Sequence, residues 1–192
     1  MSLQKTNTRN AVLILMIILA TAMRFVSYKF PFLLSNFTPV GAIAIFGGVY
    51  FTDKWKAYVV VLLTMFCSDV LINYLYTSKL TLLSGYTLWN CICFAIVIFI
   101  GSQIKKINWT TGLIVLLVPV LVHWLIMDLP WIADTNLYPK TVAGYMASLT
   151  AAVPFEANML FGDIVFGALL FGGFELAKQK YAALRPQHAL AL

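Results

Sequence analysis

Charge is what this sequence has least of. Of its 192 residues, 10% are Asp, Glu, Lys or Arg, against roughly 25% in a soluble domain. A chain so poor in charge cannot clothe a water-facing surface, which excludes a cytosolic enzyme and a disordered tail. Cysteine is scarce as well. Cys67, Cys91 and Cys93 sit inside apolar runs with neither a CxxC pair nor a Cys/His spacing for zinc, so they read as small buried apolar residues. A disulfide-stapled secreted module is thereby excluded. Histidine occurs twice. There is no HExxH, no GxSxG and no phosphate loop following a strand. No enzyme activity, cofactor or resident metal is expected.

What fills the sequence instead is apolar. Hydrophobic residues make up 61% and the mean hydropathy is +0.89. The net charge of +6 comes from basic residues placed in ones and twos between apolar runs. No basic stripe interleaved with stacking aromatics is present, so nucleic acid is not the expected partner. Membrane lipid is. The run after Lys5 and Arg9 reads as a retained first span rather than a cleaved signal, because many apolar segments follow it.

A bilayer crossing takes about 20 mostly apolar residues. Six segments are candidates: 10–28, 32–51, 56–76, 82–101, 110–128 and 158–178. The fold expected is an all-α, single-domain bundle of six transmembrane helices. The second segment is the weakest. Its core, Thr38 to Phe51, opens on Thr38-Pro39 as an N-cap with proline at the first helical position, and is short for a span. With six crossings and the N-terminus inside, Lys5, Arg9, Lys54, Lys56, Lys105, Lys106, Lys178, Lys180 and Arg185 lie inside. Arg24, Lys29, Lys79 and Lys140 lie outside. That distribution satisfies the positive-inside rule and puts both termini in the cytoplasm. A five-span chain with a re-entrant second segment and its N-terminus outside satisfies the rule equally. The stretch 130–154 reads either as an amphipathic helix at the interface or as a lid over an outward cavity.

Ionisable groups within spans are costly and so mark sites. Thr21, Arg24 and Tyr28 share one helical face, as do Asp69, Asn73 and Tyr76. The fourth span contributes Tyr86, Asn90 and Cys93, and the fifth His123, Trp124, Met127 and Asp128. On the sixth, Glu156 and Asp163 stand one heptad apart, with Glu156 near enough to the span's end to be solvated. Counted from the outer ends, Arg24, Asp69, His123 and Asp163 fall at one depth, roughly 8–11 Å below the boundary. The expected substrate-binding set is Arg24, Asp69, Asn73, Tyr86, Asn90, His123, Trp124, Asp128 and Asp163, with Trp124 and Trp131 placed to stack on a planar ligand. The same charges also read as structural ion pairs in a scaffold. Gly41, Ala42, Ala44, Gly47 and Gly48 give a smooth face for close helix packing, within the chain or against a partner.

Several strings carry a family resemblance: Asn36-Phe37-Thr38-Pro39-Val40-Gly41-Ala42, then Phe46-Gly47-Gly48-Val49-Tyr50-Phe51, Ser68-Asp69, the run Tyr138 to Tyr145, and Pro154-Phe155 leading to Gly162-Asp163. They resemble a bacterial family of unknown function regarded as transport proteins. That family is similar to the substrate-binding (S) components of energy-coupling-factor (ECF) transporters. The resemblance implies an inner-membrane, S-component-like uptake protein with a pocket near its outer face. It also implies a small vitamin-like or polar solute and, as partners, a transmembrane scaffold and an ATPase. The cobalt-ligating cysteine of solitary cobalamin carriers has no match at Cys67. The N-terminal His motif of nickel/cobalt S components is absent from Met1-Ser2-Leu3-Gln4.

Overall fold

A computed structural model describes residues 2–31, 34–134 and 136–185. Among these residues there is no strand. The helices in chain order are α1 (Ser2–Ala22), α2 (Arg24–Lys29), α3 (Val40–Tyr50), α4 (Lys54–Thr77), α5 (Gly85–Gln103), α6 (Trp109–Asp134), α7 (Val142–Gly167) and α8 (Gly173–Lys180). A π-helical turn, Ala168–Gly172, joins α7 to α8, so one rod runs over Val142–Lys180. Among the described residues five rods are long and apolar enough to cross a membrane, and α3 is a shorter apolar helix.

Exposure is arranged for lipid. On α6, Leu113, Leu117, Leu121, Leu125 and Leu129 repeat at every fourth residue and are each 44–47% exposed. In water such a stripe would be a large apolar patch; against acyl chains it is the natural outer surface. Polar residues go the other way: Arg9, Ser68, Ser148, Glu156 and Asp163 are buried.

At the centre stands α3, with every residue from Val40 to Gly48 buried. Its glycines serve close packing inside this chain, not a partner's helix. A Cβ on Gly101 of α5 would stand 2.7 Å from the Ile45 carbonyl oxygen, and one on Gly48 would overlap the Ile98 carbonyl. Small residues let these two backbones touch, which is how helices gain packing where the solvent itself is apolar. Around α3 an aromatic cluster fills the space, with Phe46 and Phe171 edge to face at 5.3 Å and Tyr50 and Phe174 at 4.6 Å.

Two sequence expectations need correcting. Within 32–51 only Val40–Tyr50 is helical; residues 32 and 33 lie outside those described. Pro39 disfavours helix at Thr38, and Asn36 takes a left-handed conformation, φ 58°, that asparagine tolerates better than most residues. The stretch 130–154 is not a separate element. Its start ends α6, and Val142 onward is the first part of α7, which continues through Pro154. Proline is tolerated inside membrane helices because neighbouring groups re-satisfy the freed backbone.

Helices α1 and α8 both meet the end of α3. Arg9 of α1 donates to the Tyr50 carbonyl at the end of α3 (2.6 Å) and to Thr52 Oγ1 (3.2 Å). The Tyr50 hydroxyl in turn donates to Glu175 of α8. The chain therefore traverses the bundle six times, five as span-length helices and once as loop 34–39 followed by α3.

Candidate functional site

The end of the bundle away from the termini is polar inside. Loop 34–39 enters it as irregular backbone, which a membrane protein tolerates only when buried in protein or facing water. Ser27 Oγ donates to the Phe37 carbonyl (2.5 Å), and Asn158 Nδ2 to the Ser35 carbonyl (2.9 Å). Gly162 lets α7 lie against the loop; a Cβ there would meet the Thr38 carbonyl oxygen at 2.7 Å.

The loop leads into α3, whose first turn has N–H groups with no partner in the helix. Asp163 of α7 supplies one: its Oδ1 accepts from the Ala42 N–H at 2.7 Å. The carboxyl is 1% exposed, and its Oδ2 lies against Gly41, where a Cβ would overlap it. The opposite end of α3 is held by cations. Arg9 binds the Tyr50 carbonyl, and Lys54 Nζ donates to the Gly48 carbonyl at 2.9 Å. An uncharged eleven-residue helix is thus capped at both ends by ionisable groups from other helices.

Arg24 faces α4, donating through Nη1 to Ser68 and through Nη2 to Asp69 Oδ1 at 2.5 Å. His123 Nδ1 lies 2.9 Å from Glu156 Oε1. Three further bonds join α6 to α7: Trp124 Nε1 to the Leu149 carbonyl (2.9 Å), Ser148 Oγ to Asp128 Oδ1 (2.6 Å), and Tyr145 hydroxyl to the Leu125 carbonyl (2.6 Å). The turn between these helices is fixed by Thr141, whose side chain caps α7 by accepting from the Gly144 N–H at 3.2 Å. Gly144 is needed because a Cβ would strike the Pro139 carbonyl.

Three adjoining hollows open between these groups. The largest, about 620 Å³, is walled by Tyr86, Trp124, Tyr138 and Phe155, with His123, Asp128 and Glu156 as its ionisable lining and Asn36 at its rim. A second of about 170 Å³ shares Asn36 and His123 and adds Arg24, Thr38, Asp69 and Asn90. A third of about 380 Å³ shares Asp69, Tyr86 and Asn90 and adds Asn73. Arg24, Asp69, Asn73, Tyr86, Asn90, His123, Trp124 and Asp128 therefore line a cleft of adjoining hollows that share walls. Asp163 does not line it.

Asp163 also departs from the expected common depth. Because α7 begins at Val142, Asp163 lies about 30 Å along the helix from that end, behind the cleft rather than in its wall. Sequence reasoning undervalued Glu156 for the same reason. Reading Pro154 as a break left Glu156 at a span end, whereas its side chain is 10% exposed and engaged with His123. Its heptad spacing from Asp163 was the available signal, since both fall on the inward face. Asn36, Thr38 and Tyr138 were missed as lining because loops carry no period. Trp131's side chain lies outside the described residues. Among the described residues no three His, Cys, Asp or Glu side chains group as a metal-ligand set.

Span-length helices with lipid-facing leucines, wrapped round a polar interior, are the build of a multi-pass helical membrane protein. Within that class the chain belongs to the family of unknown function DUF6580, whose match covers residues 4–187. No curated protein and no solved structure matches it. Nothing in these comparisons links the family to the ECF S components.

Proposed function

We propose that this protein is a membrane uptake protein that binds a small solute in the cleft between α4, α5, α6 and α7. The observation that carries the reading is the hollow of about 620 Å³ at the end remote from the termini. Its size falls within the roughly 300–1,000 Å³ range of small-molecule sites. The lining indicates the class of solute. Tyr86, Trp124, Tyr138 and Phe155 offer flat apolar faces, and Asp128 and Glu156 offer acceptors. A flat-bodied solute bearing N–H donors or a positive charge fits such a wall, since a cation is drawn to aromatic faces as well as to carboxylates. With six traverses, the positive-inside rule favours this end outward and both termini in the cytoplasm, and a bacterial inner membrane is what the family resemblance implies. Coupling to a scaffold and an ATPase, as in S components, belongs to the same proposal.

A second reading has its own support. Arg24 with Asp69, His123 with Glu156, and Asp163 with Ala42 are each engaged internally. A membrane scaffold whose charges are structural would be built likewise, and the cleft is what sets the two readings apart.

The test is untargeted mass spectrometry of small molecules that copurify with wild-type protein, Trp124→Ala and Glu156→Gln. Uptake predicts a species enriched with the wild type and depleted in both variants. No enriched species, or equal retention in properly folded variants, would favour the scaffold.

A further inference from the structure

The opposite end of the molecule holds a second large concavity, of about 760 Å³, that the uptake reading does not use. It is enclosed by the start of α1, the end of α3, the start of α4, the α5–α6 turn and α8. Its charge is one-sided: Arg9, Lys54, Lys105, Lys106 and Lys178 face a single acid, Glu175. That acid is already committed, since its carboxylate accepts from the Tyr50 hydroxyl and pairs with Lys178 Nζ at 2.7 Å.

The cations differ in what they have left to give. Arg9 spends both terminal nitrogens on Thr52 and the Tyr50 carbonyl. Lys54 spends one of its three donors on the Gly48 carbonyl. Lys105 and Lys106 are exposed, and their ammonium groups have no hydrogen bond or ion pair among the described residues. They nonetheless stand on a fixed turn. Thr111 Oγ1 donates to the Lys106 carbonyl at 2.9 Å, the Asn108 N–H donates to Thr111 Oγ1 at 2.8 Å, and the Thr111 N–H donates back to Asn108 Oδ1 at 2.9 Å. Because the turn's backbone is ordered, an anion entering this basic hollow has only the lysine side chains to order. The positive-inside rule explains lysines at helix ends, but it requires no hollow between them.

We propose that this concavity binds a phosphate-bearing anion, with Lys105 and Lys106 as the principal contacts and Lys54 beside them. Phosphate oxygens accept several N–H donors at once, and lysine serves as a compact cationic partner for them. Two sources carry this chemistry at a membrane surface: the phosphodiester of an anionic phospholipid and a soluble phosphate compound. Basic pockets among the cytoplasmic ends of membrane helices take lipid head groups in this way.

The experiment uses full-length protein in nanodiscs. In one arm, discs mix phosphatidylcholine with phosphatidylglycerol, and native mass spectrometry counts phosphatidylglycerol retained on release. In the other, discs contain phosphatidylcholine alone and calorimetry measures pyrophosphate binding. Lys105→Gln/Lys106→Gln is expected to weaken binding about tenfold or more, while Lys105→Arg/Lys106→Arg keeps it. Lys79→Gln/Lys140→Gln, at the other end, leaves it unchanged. Retained phosphatidylglycerol alone identifies a lipid site, and pyrophosphate binding alone a soluble one; either supports the proposal. Binding of neither probe overturns it, as does binding that the Gln pair leaves intact while the thermal unfolding midpoint matches wild type.

Discussion

Asp163→Ala is the sharpest probe of how the core is held together. The substitution removes the acceptor for the Ala42 N–H, which has no alternative within its own helix. Stranding a buried donor costs about 1–3 kcal/mol, and the missing carboxyl leaves a small void against Gly41. The expected total is about 2–4 kcal/mol. Asp163→Asn keeps a carbonyl oxygen in reach of Ala42 and should cost less than Ala, though its amide N–H group takes the place of Oδ2, which has no hydrogen-bond partner among the described residues. The assay is the unfolding midpoint of protein in mild detergent, followed by Trp fluorescence during titration with a denaturing detergent. The order expected is wild type, then Asn, then Ala. Gly41→Ala should repair neither variant fully, because its Cβ would also come within 2.6 Å of Pro119 Cβ. If Asp163→Ala unfolds with wild type, the cap contributes nothing and the reasoning fails. Lost solute retention at unchanged stability would instead return Asp163 to the binding site.

The other predictions are shorter. Asp69→Asn should destabilise by about 1–3 kcal/mol, less than a fully buried pair because the two side chains are 14% and 24% exposed; the swap Arg24→Asp/Asp69→Arg should recover part of that loss in the same assay. Gly48→Val should prevent α3 and α5 from meeting and cost at least the ~1–3 kcal/mol of an overpacked core, read as lost monodisperse protein in size exclusion. Cysteines placed at Lys79 and Lys106 should react with an impermeant maleimide from opposite faces of oriented vesicles, and a reporter fused at either terminus should side with Lys106. Equal labelling of both from one face would overturn the six-traverse connectivity.

How much could be read in advance depended on whether a residue's role was local. The span-length helices were legible because apolar length is itself the physical requirement for crossing. The lining of the cleft was largely legible too, since Arg24, Asp69, His123 and Asp128 are expensive wherever they sit in a span, and the expense implies a shared polar interior. Two things escaped because they depend on distant partners. Nothing near Pro154 in sequence announces that α7 continues through it; the packing of α6 against α7 decides that, through Trp124 and Leu149 among others. Nor does anything near Asp163 reveal that its partner is the N–H of Ala42, 121 residues earlier.

That long-range pair changes what the intramembrane charges mean. A helix of eleven residues cannot reach both surfaces of a bilayer of about 30 Å, so at least one end of α3 must satisfy its terminal groups without bulk water. Asp163 at one end and Arg9 with Lys54 at the other do that work. These three have a structural role in the architecture, although Asp163 Oδ2 and Arg9 Nε are buried without a hydrogen-bond partner among the described residues. What the architecture does not explain is the remainder: a hollow walled by Tyr86 and Trp124 at one end, and Lys105 and Lys106 standing free at the other. A search for function is therefore best directed at the residues left over once α3 has been capped. Variants of Asp163 and Arg9 that abolish activity will report on folding first, whereas variants of Lys105 and Lys106 separate binding from fold; Trp124 and Glu156, which also bond Leu149 and His123, need the unfolding midpoint read beside retention.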